Sequence, residues 1–153
     1  MTDGKSASYS FQECYWLKKF VAKIDEPTES GSKYEYAFEN SNLEEFYTPS
    51  KIRKCFSMFV GATKLQKFFA DLSELRDGDG MFGWETYSCS RLDLESVEEI
   101  ANSIGEYYGQ IYIGMARELQ WDNGDGKYSR CQEALQKIRN KGWTVYEIYS
   151  ENY

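Results

Sequence analysis

The sequence contains no histidine. This absence excludes Ser-His-Asp and Cys-His catalysis, the common histidine-ligated zinc hydrolases and an imidazole pH switch. Gly4-Lys5-Ser6 matches only the last three residues of the phosphate-loop pattern, and neither the full pattern G-x-x-x-x-G-K-[ST] nor the serine-hydrolase run G-x-S-x-G occurs in the sequence. We therefore expect a protein that is not an enzyme, with no catalytic residues and no cofactor.

Cysteine is scarce and never paired at short range. The four cysteines, none of which belongs to a C-x-x-C motif, are Cys14, Cys55, Cys89 and Cys131. This spacing argues against zinc knuckles and redox sites, and we expect buried thiols that pack as small hydrophobic side chains. Two Asp-Gly segments, 77–80 and 122–126, lack the ligand spacing of a calcium loop. We interpret both as tight turns and predict no metal site.

Long apolar runs are also absent. No stretch approaches the roughly 18 apolar residues of a membrane-spanning helix. The segment from Met1 to Ser10 is polar and lacks the charged and apolar parts of a secretion signal. We expect no membrane association, a cytoplasmic location and a flexible N-terminal segment over residues 1–9.

Aromatic side chains, in contrast, are abundant. The 153 residues include 13 tyrosines, 9 phenylalanines and 4 tryptophans. Aromatic rings bury about 150 to 250 Å² each, so we expect them to supply most of the buried area. So many phenolic hydroxyls cannot all find partners inside, and several tyrosines should lie at the surface, as they do in interface cores.

Apolar periodicity and capping signals predict helices along much of the chain. Ser10 and Glu13 form a capping-box pattern ahead of the first predicted helix, and Thr48 with Pro49 form a typical helix start ahead of the second. The predicted helices cover about 11–24, 48–61, 65–76, 93–105 and 131–142.

Alternating apolar and polar residues predict strands between these helices. The predicted strands cover about 34–39, 82–89, 111–121 and 143–148. Residues 107–121 also fit a helix, but glycines at 105, 109 and 114 would cost it about 1 kcal/mol each, which favours the strand. No repeat of fixed period is visible. The predicted fold is a single α+β domain over residues 1–153, with about four strands in a mainly antiparallel sheet packed with four to five helices.

Charge is separated along the chain, whose formal net charge is −7. Residues 25–45 and 71–99 are rich in acids, whereas residues 51–67 and 127–141 are rich in lysine and arginine. The two signs can meet on folding as ordinary solvated faces. Alternatively, the acidic segments form one acidic face.

An acidic face with aromatic anchors is typical of a protein that binds a basic partner. It could occupy the groove of a nucleic-acid-binding protein or plug the active site of a nuclease. The main hypothesis is therefore a small acidic inhibitor of a nucleic-acid-handling protein, of the phage counter-defence or toxin-antidote (immunity protein) type. The predicted partner-binding residues are Glu74, Asp77, Asp79, Trp84, Glu85, Asp93, Glu95, Glu98 and Glu99.

Direct nucleic-acid binding is a first alternative. The residues around Gly61 partly fit a helix-turn-helix, although the second helix would run into Asp71 and Glu74, which a phosphate backbone repels. The basic residues that would bind nucleic acid are Lys51, Arg53, Lys54, Lys64 and Lys67.

A histidine-free enzyme is a second alternative. Glu85 beside Trp84 and Tyr87 resembles the acid and aromatic lining of a sugar-binding cleft, in which paired carboxyl groups perform the chemistry. Any acid-rich chain offers such neighbours, so this function is the weaker expectation. Nothing in the sequence indicates the oligomeric state.

Overall fold

The structure, a computed structural model, describes residues 11–21 and 35–151. Within this part the five strands are β1 (Lys19–Val21), β2 (Glu45–Lys51), β3 (Lys67–Asp71), β4 (Gln110–Met115) and β5 (Thr144–Tyr149). The helices are α1 (Leu94–Ser103), α2 (Lys127–Asn140) and a short 3-10 helix, Arg117–Gln120. The predicted fold class is wrong, because the described strands form two parallel sheets and the described part has two α helices rather than four or five.

The described residues from β1 to the start of α1 form the stacked coils of a short solenoid. β1, β2 and β3 lie side by side in chain order and run in the same direction. Lys19 pairs with Glu45, and Glu45 pairs with Lys67, so each coil lies on the one before it. The turns also stack, since the Ser57 amide donates to the Asp79 carbonyl oxygen at 2.9 Å. The coils differ in length, which is why the sequence shows no fixed period.

Two ladders of stacked phenylalanine rings fill the solenoid. In the first, with ring centroids 5.1 and 5.4 Å apart, the rings are Phe20, Phe46 and Phe68. In the second, with steps of 5.0, 5.6 and 5.5 Å, they are Phe11, Phe38, Phe59 and Phe82. Rings of the two ladders meet edge to face, which stabilises a pair by about 0.5 to 1.5 kcal/mol beyond its buried area. Buried aliphatic side chains such as Leu43, Ile52 and Leu65 complete the core around these stacked rings.

The two helices predicted over 48–61 and 65–76 are wrong. Pro49 lies exposed within β2 rather than at a helix start, and Gly61 lies in a turn with a φ of +79°. Tight turns between short extended segments bring every third or fourth side chain inward, and a helix has the same spacing. The buried side chains with this spacing are Ile52, Cys55, Phe59, Ala62, Leu65 and Phe68. The periodicity is real, but it arises from the corners of the solenoid.

The helix predicted over 11–24 is wrong in its described part. Residues 11–16 form turns, and residues 19–21 form β1. The Phe11 amide donates to the Ala37 carbonyl oxygen at 2.8 Å, so this segment belongs to the first coil. The remainder of that prediction, like the flexible segment over residues 1–9, falls outside the described residues.

Two predicted strands are also wrong. Residues 35–40 form turns in which Tyr36 has a φ of +57°, and residues 82–89 form bends and turns in which Gly83 has a φ of +120°. Apolar and polar residues alternate in both segments, but the alternation does not reflect a strand. The backbone conformation of these residues is set by the turns that stack between coils and not by pairing of extended strands.

α1 ends the solenoid and confirms the helix predicted after Asp93. The Asp93 carboxylate caps the helix by accepting the Ser96 amide hydrogen at 3.0 Å. Val97, Ile100 and Ala101 face the core, as their periodicity predicts. The helix stops at Ser103, directly before the predicted boundary at Gly105.

α1 also covers the outer edge of β3 where a further strand would otherwise pair. Ser96 Oγ and Ser103 Oγ each accept one amide hydrogen and donate to one carbonyl oxygen of that edge, at 2.6 to 3.1 Å. The edge groups are the amides of Phe68 and Leu72 and the carbonyl oxygens of Gln66 and Ala70. Covering a strand edge in this way prevents edge-to-edge association.

β4, α2 and β5 form a parallel strand-helix-strand unit. β4 pairs with β5 from Gln110 with Thr144 to Met115 with Tyr149, and the bridge from Gly78 to Ile111 joins this unit to the solenoid. The strand expected in 107–121 is confirmed as β4, although its last part is the 3-10 helix. The last predicted helix and strand are confirmed as α2 and β5. The described residues contain no helix long and apolar enough to cross a membrane.

Candidate partner-binding surface

A continuous line of five aromatic rings crosses the outside of the molecule, and we call it the aromatic strip. Its successive ring centroids lie 5.5, 5.8, 4.6 and 4.4 Å apart. In this order the rings are Tyr36, Phe56, Trp84, Tyr112 and Tyr146. Trp84 and Tyr146 are each 39% exposed, and the other three are partly buried. Large amphipathic rings in such a row are the side chains that dominate binding energy at protein interfaces.

Stacked coils and parallel pairing hold the strip in place. Tyr112 of β4 lies in register with Tyr146 of β5, which stacks the two rings. The Trp84 indole lies against Gly80, where an added Cβ would overlap it, and its Nε1 donates to Ser57 Oγ at 3.0 Å. Gly80 has a φ of +62°, so glycine is favoured there for backbone reasons as well. Contacts within the fold therefore hold Trp84, Tyr112 and Tyr146 in place.

Two carboxylates lie beside the strip on the same coil. The Asp77 carboxylate accepts the Asp79 amide hydrogen at 3.2 Å. Asp79 Oδ1 is buried and has no hydrogen-bond partner among the described residues. Burial, together with the nearby Asp77 charge, raises the pKa of Asp79, and the Asp79 charge in turn contributes to the raised pKa of Tyr112. Burial and the neighbouring Asp77 carboxylate thus disfavour the charged form of Asp79.

A groove of about 970 Å³, the Trp84 groove, continues from one side of Trp84. Its aromatic lining adds Tyr87, Trp121 and Tyr149 to Trp84. Tyr87 is 67% exposed and Trp121 is 51% exposed. Its charged lining residues are Glu85, Arg117, Glu147 and Glu151. The strip and this groove meet at Trp84, which belongs to both.

Four of the nine predicted partner-binding residues are neutralised by ion pairs. Glu74 lies 3.2 Å from Arg53, Glu98 lies 2.6 Å from Arg130, and Lys67 bridges to both Asp93 and Glu95, at 2.5 and 3.5 Å. At these positions the acidic and basic segments meet on folding, as the simpler interpretation of the charge pattern predicts.

The other five predicted residues divide into two places. Glu99 lies on α1 beside a smaller groove that Tyr47 and Phe69 help to line. The remaining four lie within residues 77–85, the segment that places the Trp84 ring of the strip against Gly80, and they are Asp77, Asp79, Trp84 and Glu85. Within the described residues, no cationic group lies at ion-pair distance from any of these three carboxylates.

The basic residues of the nucleic-acid alternative lie on no helix. The predicted helical hairpin around Gly61 is wrong, and the five positions are distributed over β2, β3 and the turns between them. Arg53 and Lys67 are ion-paired with acids, and Lys51 lies in register with Asp71. The Lys54 backbone is bridged to that of Asp77. Acids therefore lie beside four of these cations, whereas Lys64 lies exposed in a turn and forms no ion pair with a described residue. The helix that would read a groove is absent from this described segment.

The enzyme alternative gains no support from the cysteines or the glycines. Cys55, Cys89 and Cys131 are buried as predicted, and Cys14 is partly buried. Burial raises the pKa of Cys89 and Cys131 to about 12, so neither is a thiolate nucleophile near neutral pH. Gly78, Gly80 and Gly83 have the G-x-G-x-x-G spacing, but the next helix begins only at Leu94 instead of following directly.

Glu85 and Tyr87 lie in a turn rather than on the predicted strand. A hydrogen bond to Glu85 raises the pKa of the Tyr87 hydroxyl. Among the described residues, no three acidic or cysteine side chains converge in a way that could hold a metal ion. This turn carries a ring and a carboxylate close together in the chain, an arrangement that can bind a cation.

Four of the five strip rings were not among the predicted site residues. Tyr112 lies between the buried Ile111 and Ile113, an alternation that places its ring on the opposite face of β4. Tyr146 carries the same signal more weakly in β5. No pattern in the sequence indicated that Tyr36 and Phe56 lie on the surface. Tyr36 falls in the strand predicted over 34–39, and Phe56 falls on the apolar side of the helix predicted over 48–61, which placed it in the core.

Comparison of the chain with protein-family models, with curated proteins and with solved structures finds no match. The geometry of the aromatic strip and the Trp84 groove is therefore the basis for any functional proposal.

Proposed function

We propose that this protein is a non-enzymatic inhibitor that docks its aromatic strip, with Asp77, Asp79 and Glu85, onto the basic surface of a nucleic-acid-handling protein. It would act in the cytoplasm as a phage counter-defence factor or as the antidote of a toxin. The observation that carries this proposal is the coincidence of five exposed or half-buried rings with three carboxylates that no described cation neutralises.

Trp84 is the expected anchor of this interface. Its ring touches both neighbours in the strip, and its Nε1 is held by Ser57, so it loses little conformational freedom on binding. Truncating such an anchor costs about 2 kcal/mol or more of binding free energy, which is at least about thirtyfold in Kd.

The carboxylates supply the charge complementarity. Acids that no neighbouring cation neutralises attract a basic surface over a distance and speed association, and this effect weakens as salt is added. The unfavourable environment of Asp79 supports the same role, because a basic group of the partner would relieve the burial of its unpaired charge.

Affinity capture from lysate of the producing cells, quantified by mass spectrometry, tests the proposal. Trp84→Ala should lose the captured partner, whereas Tyr108→Ala, which removes a ring that is 95% exposed away from the strip, should retain it. The purified partner should be basic, should act on nucleic acid, and should lose that activity when the wild-type protein is added.

Retention of the same partners by folded Trp84→Ala protein would contradict the proposal. A captured partner that binds nucleic acid unhindered in the presence of saturating protein would contradict its inhibitory part. Thermal melting of each variant confirms that the variants are folded.

A further inference from the structure

The walls of the Trp84 groove are joined to each other by hydrogen bonds. Thr86 Oγ1 donates to Glu151 Oε1 at 3.0 Å, and the Glu151 amide donates back to the Thr86 carbonyl oxygen at 3.4 Å. These bonds connect the turn that carries Trp84, Glu85 and Tyr87 to the segment after β5. A groove with braced walls is organised before binding, which lowers the entropic cost of filling it.

The groove is acidic. Its lining includes three glutamates and one basic side chain, Arg117. Glu147 is already bound by Arg139 and by the Tyr149 hydroxyl, each at 2.7 Å. Glu85 and Glu151 form no ion pair within the described residues. Two carboxylates at this groove therefore remain available to a cationic ligand.

The rings of the groove are suited to cations as well. The Arg117 guanidinium lies 5.5 Å from the centroid of the Trp121 ring, so one wall already holds a cation against an indole. Tyr87, which is 67% exposed, lines the same part of the groove as Glu85, two residues before it in the turn. A ring face next to a carboxylate attracts a guanidinium or ammonium group through both the ring quadrupole and the charge.

We propose that the Trp84 groove binds an extended, arginine- or lysine-bearing segment of the partner protein. This inference rests on the proposed function, because the same basic partner would cover the aromatic strip and insert this segment into the adjoining groove. The groove volume of about 970 Å³ is more than one side chain fills and lies at the upper end of ordinary ligand clefts. A neutral sugar could stack on the same rings and donate hydroxyl hydrogens to Glu85 and Glu151, but it would bring no positive charge to balance the two carboxylates.

Calorimetric titration with a short arginine-rich peptide tests the inference. Its control is the same peptide with citrulline in place of arginine, which keeps the length and hydrogen-bonding shape but removes the charge. The arginine peptide should bind, and the citrulline peptide should bind at least about tenfold more weakly. Glu85→Gln and Trp121→Ala should each weaken arginine-peptide binding by about tenfold.

A matched control separates the groove from general attraction to an acidic protein. Glu95→Gln removes the same charge from an exposed side chain of α1 and should leave peptide binding unchanged. Equal binding of the two peptides, or equal loss with Glu95→Gln and Glu85→Gln, would overturn the inference. Binding of neutral oligosaccharides that is insensitive to Glu85→Gln would overturn it in favour of a sugar site.

A strip variant distinguishes this inference from the proposed function. Tyr146→Ala removes a ring of the strip that does not line the groove. It should weaken capture of the whole partner while leaving arginine-peptide binding intact. If capture depends on Tyr146 but no arginine peptide binds, only the groove inference fails. If capture is independent of Tyr146 and Trp84, the proposed function fails.

Discussion

Replacing Ser96 or Ser103 by alanine removes a hydroxyl that bonds the outer edge of β3. Ser96→Ala leaves the Phe68 amide without its partner, and Ser103→Ala does the same to the Leu72 amide. Each substitution also removes a hydrogen bond to an edge carbonyl oxygen. Both therefore test whether α1 closes the solenoid by satisfying the backbone of β3.

The expected cost follows from burial. An unsatisfied buried amide costs about 1 to 3 kcal/mol, and alanine returns about 0.5 kcal/mol through its higher helix propensity. Ser96 is fully buried, so Ser96→Ala should cost about 2 kcal/mol. Ser103 is partly exposed and water can replace some of its bonding, so Ser103→Ala should cost about 1 kcal/mol.

Urea denaturation measures both costs. With a slope of about 2 kcal/mol per molar urea, Ser96→Ala should lower the unfolding midpoint by about 1 M and Ser103→Ala by about half as much. Asn102→Ala, on an exposed position of the same helix, should change stability by less than about 0.5 kcal/mol. If both serine variants behave like Asn102→Ala, the hydroxyls do not stabilise the sheet edge and the reasoning is refuted.

Three further predictions concern the site and the core. The pKa of Asp79 is higher in the folded protein than in the unfolded chain, where it is about 3.9. The protonated carboxyl therefore favours folding at pH values below about 3.9, and this contribution is lost as the pH rises through the folded-state pKa. Asp79→Asn should therefore be more stable than wild type in melts at about pH 7, and lower stability there would contradict this. In Gly80→Ala the added Cβ would overlap the Trp84 indole. The substitution should destabilise the fold by about 1 kcal/mol or more and, by displacing the indole into solvent, shift tryptophan emission to the red. An unchanged emission spectrum would argue against the contact between Gly80 and Trp84. Cys55, Cys89 and Cys131 are buried, and burial raises the pKa of Cys89 and Cys131 to about 12. A thiol reagent should therefore label at most one of the four cysteines rapidly in the native protein and all four in denaturant. Rapid labelling of three or four cysteines in the native protein would show that the thiols are not buried.

The C-terminal half of the fold could be predicted from the sequence. α1 and α2 bury one regular stripe each, Asp93 marks the start of the first, and Gly142, with a φ of +102°, follows the end of the second. β4 and β5 alternate clearly enough to be recognised. Local signals and tertiary structure agree in this half, so periodicity is a reliable guide.

The solenoid could not be predicted by the same means. Its corners repeat inward side chains at helical spacing, as Ile52, Cys55 and Phe59 do, and the unequal coils hide the repeat. The aromatic strip was invisible for a related reason. Tyr112 and Tyr146 meet only through the parallel register of β4 and β5, whose strands are separated by α2 in the chain. Ion pairs between segments distant in sequence likewise decide which acids remain available.

Two matched charge changes test the central claim most directly. Asp77→Asn with Asp79→Asn removes two charges beside the aromatic strip, and Glu95→Gln with Glu98→Gln removes two from acids that Lys67 and Arg130 already neutralise. Kinetic measurement of partner binding at low salt should show a loss of at least about tenfold in affinity for the first pair, mainly in the association rate, and less than about twofold for the second. Equal losses, or a larger loss with Glu95→Gln and Glu98→Gln, would contradict the claim that the aromatic strip and its unpaired carboxylates are the binding surface.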